Sequence, residues 1–240
     1  MKTFIILFTS LLLSFSLFAQ EKEFGVFVGA TAFQGDVVEK TVDFKELNLG
    51  FGAFYRHYSS SKFSFRIGVS AGSFSGDDAN STESFQVARG YSFKSTIVDL
   101  TAIAEWNILG INIYGPTSYD QSNFSPYLLF GIGGSMYNPT VTTTNTELKP
   151  LDLGKEYPAF SMVVPLGLGL KYATAQVTVG IEASVRAGLT DYLDGISKSG
   201  NADNNDWYGF YGINAAYRLG SVPTPPSVKP MDDREDGYGN

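Results

Sequence analysis

The chain has 240 residues, a formal net charge of −7, one histidine, 26 glycines, no cysteine and 15% aromatic residues. Without cysteine there are no disulfides, thiolate metal sites, thiol nucleophiles or cysteine-linked lipid anchors. The acidic balance gives no electrostatic case for nucleic-acid binding.

Residues 1–19 read as an export signal. Lys2 supplies the positive start, residues 4–18 are apolar apart from Thr9, Ser10, Ser14 and Ser16, and Ala19 places a small residue before Gln20. The run is short for a transmembrane helix, which needs about 20 apolar residues. The most apolar later stretch, 162–170, is interrupted by Pro165, Gly167 and Gly169. A mature chain in a membrane must therefore be a closed barrel, because lipid cannot satisfy an open sheet's backbone groups. The abundant glycine and aromatic residues suit such a barrel, with rings at the interfaces and glycine where strands bend or crowd.

Eight antiparallel strands are predicted within 20–219: 24–33, 44–58, 62–75, 91–109, 124–136, 159–172, 176–190 and 207–219. The seventh is the cleanest. Val177, Val179, Ile181, Ala183, Val185, Ala187 and Leu189 alternate with polar residues, charges or glycine, including Glu182 and Arg186. Such a period of two suits a tilted strand with lipid on one side. Connections of about three residues follow strands two and six, and long polar ones follow strands three, five and seven: 76–90, 137–158 and 191–206. Outer-membrane barrels show this asymmetry of short periplasmic turns and long outer loops, and an even strand count puts both termini in the periplasm. The 110–123 connection is long for a periplasmic turn.

Parity assigns the faces. Phe63, Phe65, Ile67, Val69 and Ala71 share a lipid face; so do Phe160, Met162, Val164, Leu166, Leu168, Leu170 and Tyr172, and so do Ile213, Ala215, Tyr217 and Leu219. In strand four, Phe93 and Ile97 fall in one phase and Val98, Leu100, Ala102, Ala104, Trp106 and Ile108 in the other, which predicts a bulge near Ile97. Arg56, Arg66, Glu105, Lys171, Glu182, Arg186 and Arg218 then point inward. An eight-stranded barrel is just wide enough for side chains to fill, so these charges are expected to plug the lumen as an ion-pair network.

The tail, 220–240, holds Pro223, Pro225, Pro226 and Pro230, then Asp232, Asp233, Glu235 and Asp236 around Arg234. It reads as a disordered acidic extension or as a periplasmic tether. His57 sits at the end of strand two beside Tyr55 and Tyr58, where a structural role is expected rather than catalysis. Asp77 with Asp78, and Asp191 with Asp194, are oxygen donors of the type that hold calcium, but they lack a full ligand spacing and read as solvated loop residues. Residues 131–134 are glycine-rich but lie within a strand with no helix following, which excludes a phosphate loop. No catalytic residue, metal or cofactor is expected.

Several stretches, in order, carry a family resemblance. They are Leu49-Gly50-Phe51-Gly52-Ala53-Phe54-Tyr55-Arg56, then Phe65-Arg66 through Phe74-Ser75-Gly76-Asp77-Asp78, then Arg89 with Ser92-Phe93-Lys94-Ser95 and Ala104-Glu105-Trp106-Asn107. Ser125-Pro126-Tyr127-Leu128-Leu129-Phe130-Gly131-Ile132-Gly133-Gly134 and Tyr137-Asn138-Pro139 follow. Val164-Pro165-Leu166-Gly167-Leu168-Gly169-Leu170-Lys171-Tyr172 and Thr190-Asp191-Tyr192-Leu193-Asp194-Gly195-Ile196-Ser197 complete the series. The set resembles the PorG-like outer-membrane barrels of Bacteroidota. That resemblance implies a component of the type IX secretion machinery, which in gliding species also serves surface adhesins. Such a barrel joins a periplasmic ring of PorK-like lipoproteins and PorN-like proteins to the outer membrane, is not itself the pore, and brings no catalytic motif. The 110–123 connection reads either as an ordinary turn or as the candidate ring contact, through Asn112, Tyr114, Tyr119 and Gln121, whose aromatic and polar mixture suits an interface. The rival readings are a passive barrel (adhesin, surface protection or a narrow conduit for an apolar ligand), an outer-membrane lipid enzyme, and a soluble ligand-binding barrel with an apolar interior.

Overall fold

The computed structural model describes residues 22–34, 47–80, 87, 88, 90–111, 123–143, 160–174, 176–188 and 207–219. The signal segment, the tail, and Asp191 and Asp194 lie outside the described residues. So do Asn112, Tyr114, Tyr119 and Gln121. The strands are β1 (Lys22–Gln34), β2 (Asn48–Tyr58), β3 (Phe63–Asp77), β4 (Tyr91–Asn107), β5 (Phe124–Thr143), β6 (Phe160–Ala173), β7 (Val177–Gly188) and β8 (Trp207–Leu219). Each pairs antiparallel with its sequence neighbours, and β8 pairs back onto β1 to close the barrel.

The register fixes the shape. Partners followed around the wall run Lys22, His57, Phe65, Ala104, Phe130, Leu166, Val185, Gly209 and back to Ala32. One circuit therefore advances from Lys22 to Ala32 along β1. For eight strands that stagger tilts each by about 40° and gives a backbone radius of about 8 Å. A bore of this width fills with side chains.

The outer wall is apolar. Val28, Phe51, Ile67, Leu100, Phe130, Ile132, Leu168 and Ile213 are all exposed, while Arg56, Glu105, Lys171, Glu182 and Arg186 are buried. At the end of the barrel holding Lys22 and Leu219, exposed rings form a girdle: Phe24, Tyr55, Phe63, Phe65, Trp106, Phe124, Tyr172 and Tyr217. Tyr55, Trp106, Tyr172 and Tyr217 suit this height because an amphipathic ring is best placed at the membrane–water interface, and the phenylalanines fill the apolar side of the same girdle. No helix in the described residues is long and apolar enough to cross a membrane; the strands do the crossing. Phe130→Arg, in mid-wall, is expected to cost about 2–4 kcal/mol of folding stability in bilayers. Thr96→Arg, beyond the apolar band, is expected to stay within about 0.5 kcal/mol of wild type. Equal effects in a urea titration would contradict this assignment of the lipid face.

The predicted bulge near Ile97 is absent. The pairing of β4 with β3 and with β5 runs through Thr96, Ile97 and Val98 without a skipped residue. What changes is the surroundings. Outward residues are apolar up to the row Ala71, Val98 and Met136 and polar from the next row, Ser73, Thr96 and Asn138. Inward residues change the opposite way, to Phe74, Phe93 and Tyr137. Three strands leave the lipid along one register row, so the apolar face passes from outside to inside with the register intact. Two expected loops are shortened by the same extension. Strand β5 continues through Tyr137–Thr143, and β3 includes Gly76 and Asp77, followed by a single turn of 3-10 helix at Asp78–Asn80.

Glycines make the filled bore geometrically feasible. A Cβ on Gly169 would meet the Tyr127 ring at 2.5 Å, and one on Gly25 would meet the Phe54 ring at 2.3 Å. Large inward side chains thus lie over neighbouring inward glycines, as close packing in a narrow barrel demands.

Candidate functional site: the filled lumen

The lower lumen holds one connected polar network to which every strand contributes. Glu105 on β4 is its hub. It contacts Arg56 Nε at 2.9 Å, Arg66 Nε at 3.3 Å and Lys171 Nζ at 2.7 Å, and accepts from Ser64 Oγ at 2.9 Å. Glu23 on β1 accepts from Arg56 Nη1 at 2.8 Å and Thr178 Oγ1 at 2.6 Å, with Arg218 Nη2 at 3.6 Å. Glu182 on β7 takes a two-pronged contact from Arg66 on β3, at 2.7 and 3.0 Å, and a hydrogen bond from Tyr127 OH on β5 at 2.8 Å. Asn214 Nδ2 on β8 donates to Tyr127 OH at 3.3 Å. Strands β3 and β7 are diametrically opposite in the ring, so the Arg66–Glu182 pair spans the bore.

All seven charges expected inside are inside and buried: Arg56, Arg66, Glu105, Lys171, Glu182, Arg186 and Arg218. Rings add cation–π contacts. The Phe54 ring lies 4.8 Å from the Arg56 guanidinium and 5.2 Å from that of Arg66, and Lys171 Nζ lies 4.3 Å from the Tyr127 ring. Burying this many charges is tolerable only because each lies against an opposite one; Arg56 Nε, Arg186 Nε, Asp99 Oδ2 and Arg218 Nε nevertheless make no directed hydrogen bond, so part of the network is held by charge alone.

The structure also brings in residues that the sequence reading did not assign. Asp99, fully buried on β4, pairs with Arg186 Nε at 2.8 Å and accepts from Ser135 Oγ at 2.6 Å and Tyr208 OH at 2.8 Å. The Arg186 guanidinium stacks on Phe210 at 4.0 Å. Above this pair lies an aromatic layer of Phe33, Phe74, Tyr91, Phe93, Tyr137 and Tyr208. Its rings pack closely, with Phe33–Phe93 centroids 5.0 Å apart and Phe74–Tyr208 centroids 5.2 Å apart. At the opposite end Ile111, fully buried, packs with Tyr58 and Ala173. Gly110, at φ +71°, turns the chain after β4 so that Ile111 N–H reaches Ser61 O at 2.9 Å. An L side chain rarely adopts that φ, which explains glycine there. The 110–123 connection therefore begins by stoppering the lumen.

A small void of about 30 Å³ lies beside Arg66, Glu182, Arg186 and Phe210. That is room for water only. Among the described residues, buried charges fill the bore and buried apolar side chains lie toward each end, so a path for ions or polypeptide is not expected. In planar bilayers the folded chain is expected to give no steady conductance step; a reproducible open state would contradict the plug.

The remaining sequence candidates are placed as follows. His57 faces outward at the terminal end, between Lys22 and Phe65 on the neighbouring strands, with no serine or carboxylate opposite it. Its neighbour Tyr58 points inward. Asp78 is a correction: it is fully buried, not solvated, and its Oδ2 accepts from Tyr91 N–H at 2.9 Å. Asp77 Oδ1 accepts from Ala79 N–H at 2.9 Å. Both acids thus shape the exit from β3. Among the described residues no group of acids and histidine could hold a metal.

An apolar exterior around a plugged, charged interior defines a membrane-spanning eight-stranded barrel of the outer-membrane type. The chain belongs to the family described as a domain of unknown function, DUF6089, which matches residues 1–226. No curated protein matches it. Among solved structures it is similar to Ail, the attachment invasion locus protein of Yersinia pestis, with 15% identity, a TM-score of 0.43 and coverage of 84% of this chain and 100% of that one. It is also similar to Neisserial surface protein A, with 15% identity, a TM-score of 0.44 and coverage of 82% and 97%. OprG from Pseudomonas aeruginosa is similar at 10% identity, with a TM-score of 0.44 and coverage of 84% and 98%. None of these likenesses bears on what the chain binds; the architecture rests on its own strand pairing.

Proposed function

We propose that this barrel is a non-enzymatic anchor of the type IX secretion machinery in the outer membrane. Its termini lie in the periplasm and its periplasmic face holds a ring of PorK-like lipoprotein and PorN-like protein. The family resemblance supplies the identity of the machine. The observation that carries the anchoring role is the filled lumen: a barrel closed by Glu105, Arg66–Glu182 and Ile111 has its surfaces to offer, not its bore. The 110–123 connection, with Asn112, Tyr114, Tyr119 and Gln121, is the proposed ring contact. It is tied to the barrel on both sides, by Ile111 N–H to Ser61 O and by Ala173 N–H to Asn123 O at 2.7 Å.

The test is gentle solubilisation of the outer membrane and affinity capture of a chain tagged away from 110–123 and the tail. Ring proteins at near-stoichiometric recovery, and loss of cargo secretion on deletion, are the expected results. Recovery of the folded barrel alone with secretion unchanged would replace this reading with a passive surface barrel.

A further inference from the structure

We propose that the outward face of the β3–β4–β5 extension binds the head groups of membrane glycolipid, with Lys94 taking an anionic group and the surrounding hydroxyls taking sugar. The lipid-facing wall and this face are one continuous sheet. Apolar residues end at the row Ala71, Val98 and Met136, and the next two outward rows are Ser73, Thr96, Asn138 and then Ser75, Lys94, Thr140. Thr96, Lys94, Asn138 and Thr140 are exposed. Two rows along strands tilted by about 40° place Lys94 about 10 Å beyond the last apolar row. Each head-group layer of a bilayer is about 5–8 Å deep, and sugar-bearing lipids reach further. The Thr96 row therefore stands at phospholipid head-group height directly beside the lipid, and Lys94 stands just above it, at the height of a glycolipid's sugars.

The chemistry fits that neighbour better than a protein. Hydroxyls and one amide donate and accept in both directions; the one carboxylate among the described residues of this face, Asp77 in the next row out, accepts from Ala79 N–H; and the face lacks the aromatic, Met and Arg residues that enrich protein interfaces. Lys94 is flanked across the sheet by uncharged Ser75 and Thr140. An ammonium among hydroxyls is suited to a phosphate or carboxylate carried on sugar. The sheet behind it is held firm by the inward rings of Phe74, Phe93 and Tyr137, so little ordering is needed on binding.

This inference rests on the proposed orientation, which puts the extension at the outer leaflet. The test uses the full mature chain in nanodiscs of phospholipid alone or of phospholipid with rough lipopolysaccharide. The chain has no cysteine, so Thr140→Cys carries a single polarity-sensitive label, with His57→Cys as the control at the other end. The label at position 140 is expected to shift only with lipopolysaccharide, and Lys94→Glu is expected to lower lipopolysaccharide retained through purification by about tenfold. Thr96→Leu, which removes a hydroxyl but no charge, is expected to lower it less. Heat-modifiable gel mobility checks that each variant is folded. An equal shift in both discs, displacement by millimolar inorganic phosphate, or unchanged retention in Lys94→Glu would overturn the proposal. A membrane-impermeant maleimide on intact cells separates the two readings. If Thr140→Cys is unreachable from outside, the orientation fails and the lipid assignment with it; if it is reachable and the discs show no shift, only the head-group assignment fails.

Discussion

Glu105→Gln is expected to lower the unfolding free energy of the barrel by about 3–5 kcal/mol, the usual cost of leaving a buried charge uncompensated. The side chain keeps its shape and loses only its charge. Arg56, Arg66 and Lys171 then lose the carboxylate they share at 2.9, 3.3 and 2.7 Å. Glu23 and Glu182 remain to balance Arg56, Arg66, Lys171 and Arg218 within a lumen that water does not enter freely. Reversible urea unfolding in bilayers, followed by tryptophan fluorescence and gel mobility, measures the loss. A second change makes the result diagnostic. Adding Lys171→Met to Glu105→Gln removes one stranded cation and is expected to recover a substantial part of the stability, because the cost lies in the unpaired charge rather than in a missing contact. A loss below about 1 kcal/mol for Glu105→Gln would show that the hub is solvated and that the network is not what closes the barrel.

The strands were legible in the sequence because the lipid imposes a strict rule on them. Where both sides of the wall are uniform, as along β6 and β7, alternation alone gives the face of Lys171, Glu182 and Arg186. The rule fails where the surroundings change along a strand. In β4 the inward series runs Phe93, Ser95, Ile97, Asp99, Thr101, Ile103 and Glu105 without a break. Taking apolar always to mean lipid-facing turned the membrane boundary into a bulge, and hid Asp99 next to it. The same assumption ended β5 at Met136, when the polar outward residues Asn138 and Thr140 mark only the end of the lipid. Glu23 was available from parity in β1, where Phe24, Val26 and Val28 point out. Tyr127 and Tyr208 were not recoverable from pattern, because a tyrosine reads as apolar until its hydroxyl has a partner across the lumen. Ile111 was beyond reach for another reason: its burial depends on a turn at Gly110 that brings it against Tyr58 and Ala173, contacts with no local periodicity.

Exchanging Arg66 and Glu182 tests whether the bore is spanned. Arg66→Glu alone sets a third carboxylate beside Glu105 and Glu182, and Glu182→Arg alone sets a further cation beside Arg66; each is expected to cost about 3–5 kcal/mol. The double variant, Arg66→Glu with Glu182→Arg, restores an opposite pair between β3 and β7. Coupling between contacting residues is typically about 0.5–3 kcal/mol, and a two-pronged buried pair belongs at the upper end. Recovery stays incomplete because Arg66 also contacts Glu105 at 3.3 Å, so the exchanged carboxylate faces that acid across the network. A double-mutant cycle on folded, bilayer-inserted protein gives the coupling directly. Additive losses would mean that the two side chains do not meet and that the bore is open at this level. A coupling of about 2 kcal/mol or more would place a cross-link on the barrel's diameter. With that bond in place a chain could pass only if the hub, the Arg66–Glu182 pair and the aromatic layer all separated together. A machine that used this barrel would therefore have to work around its rim.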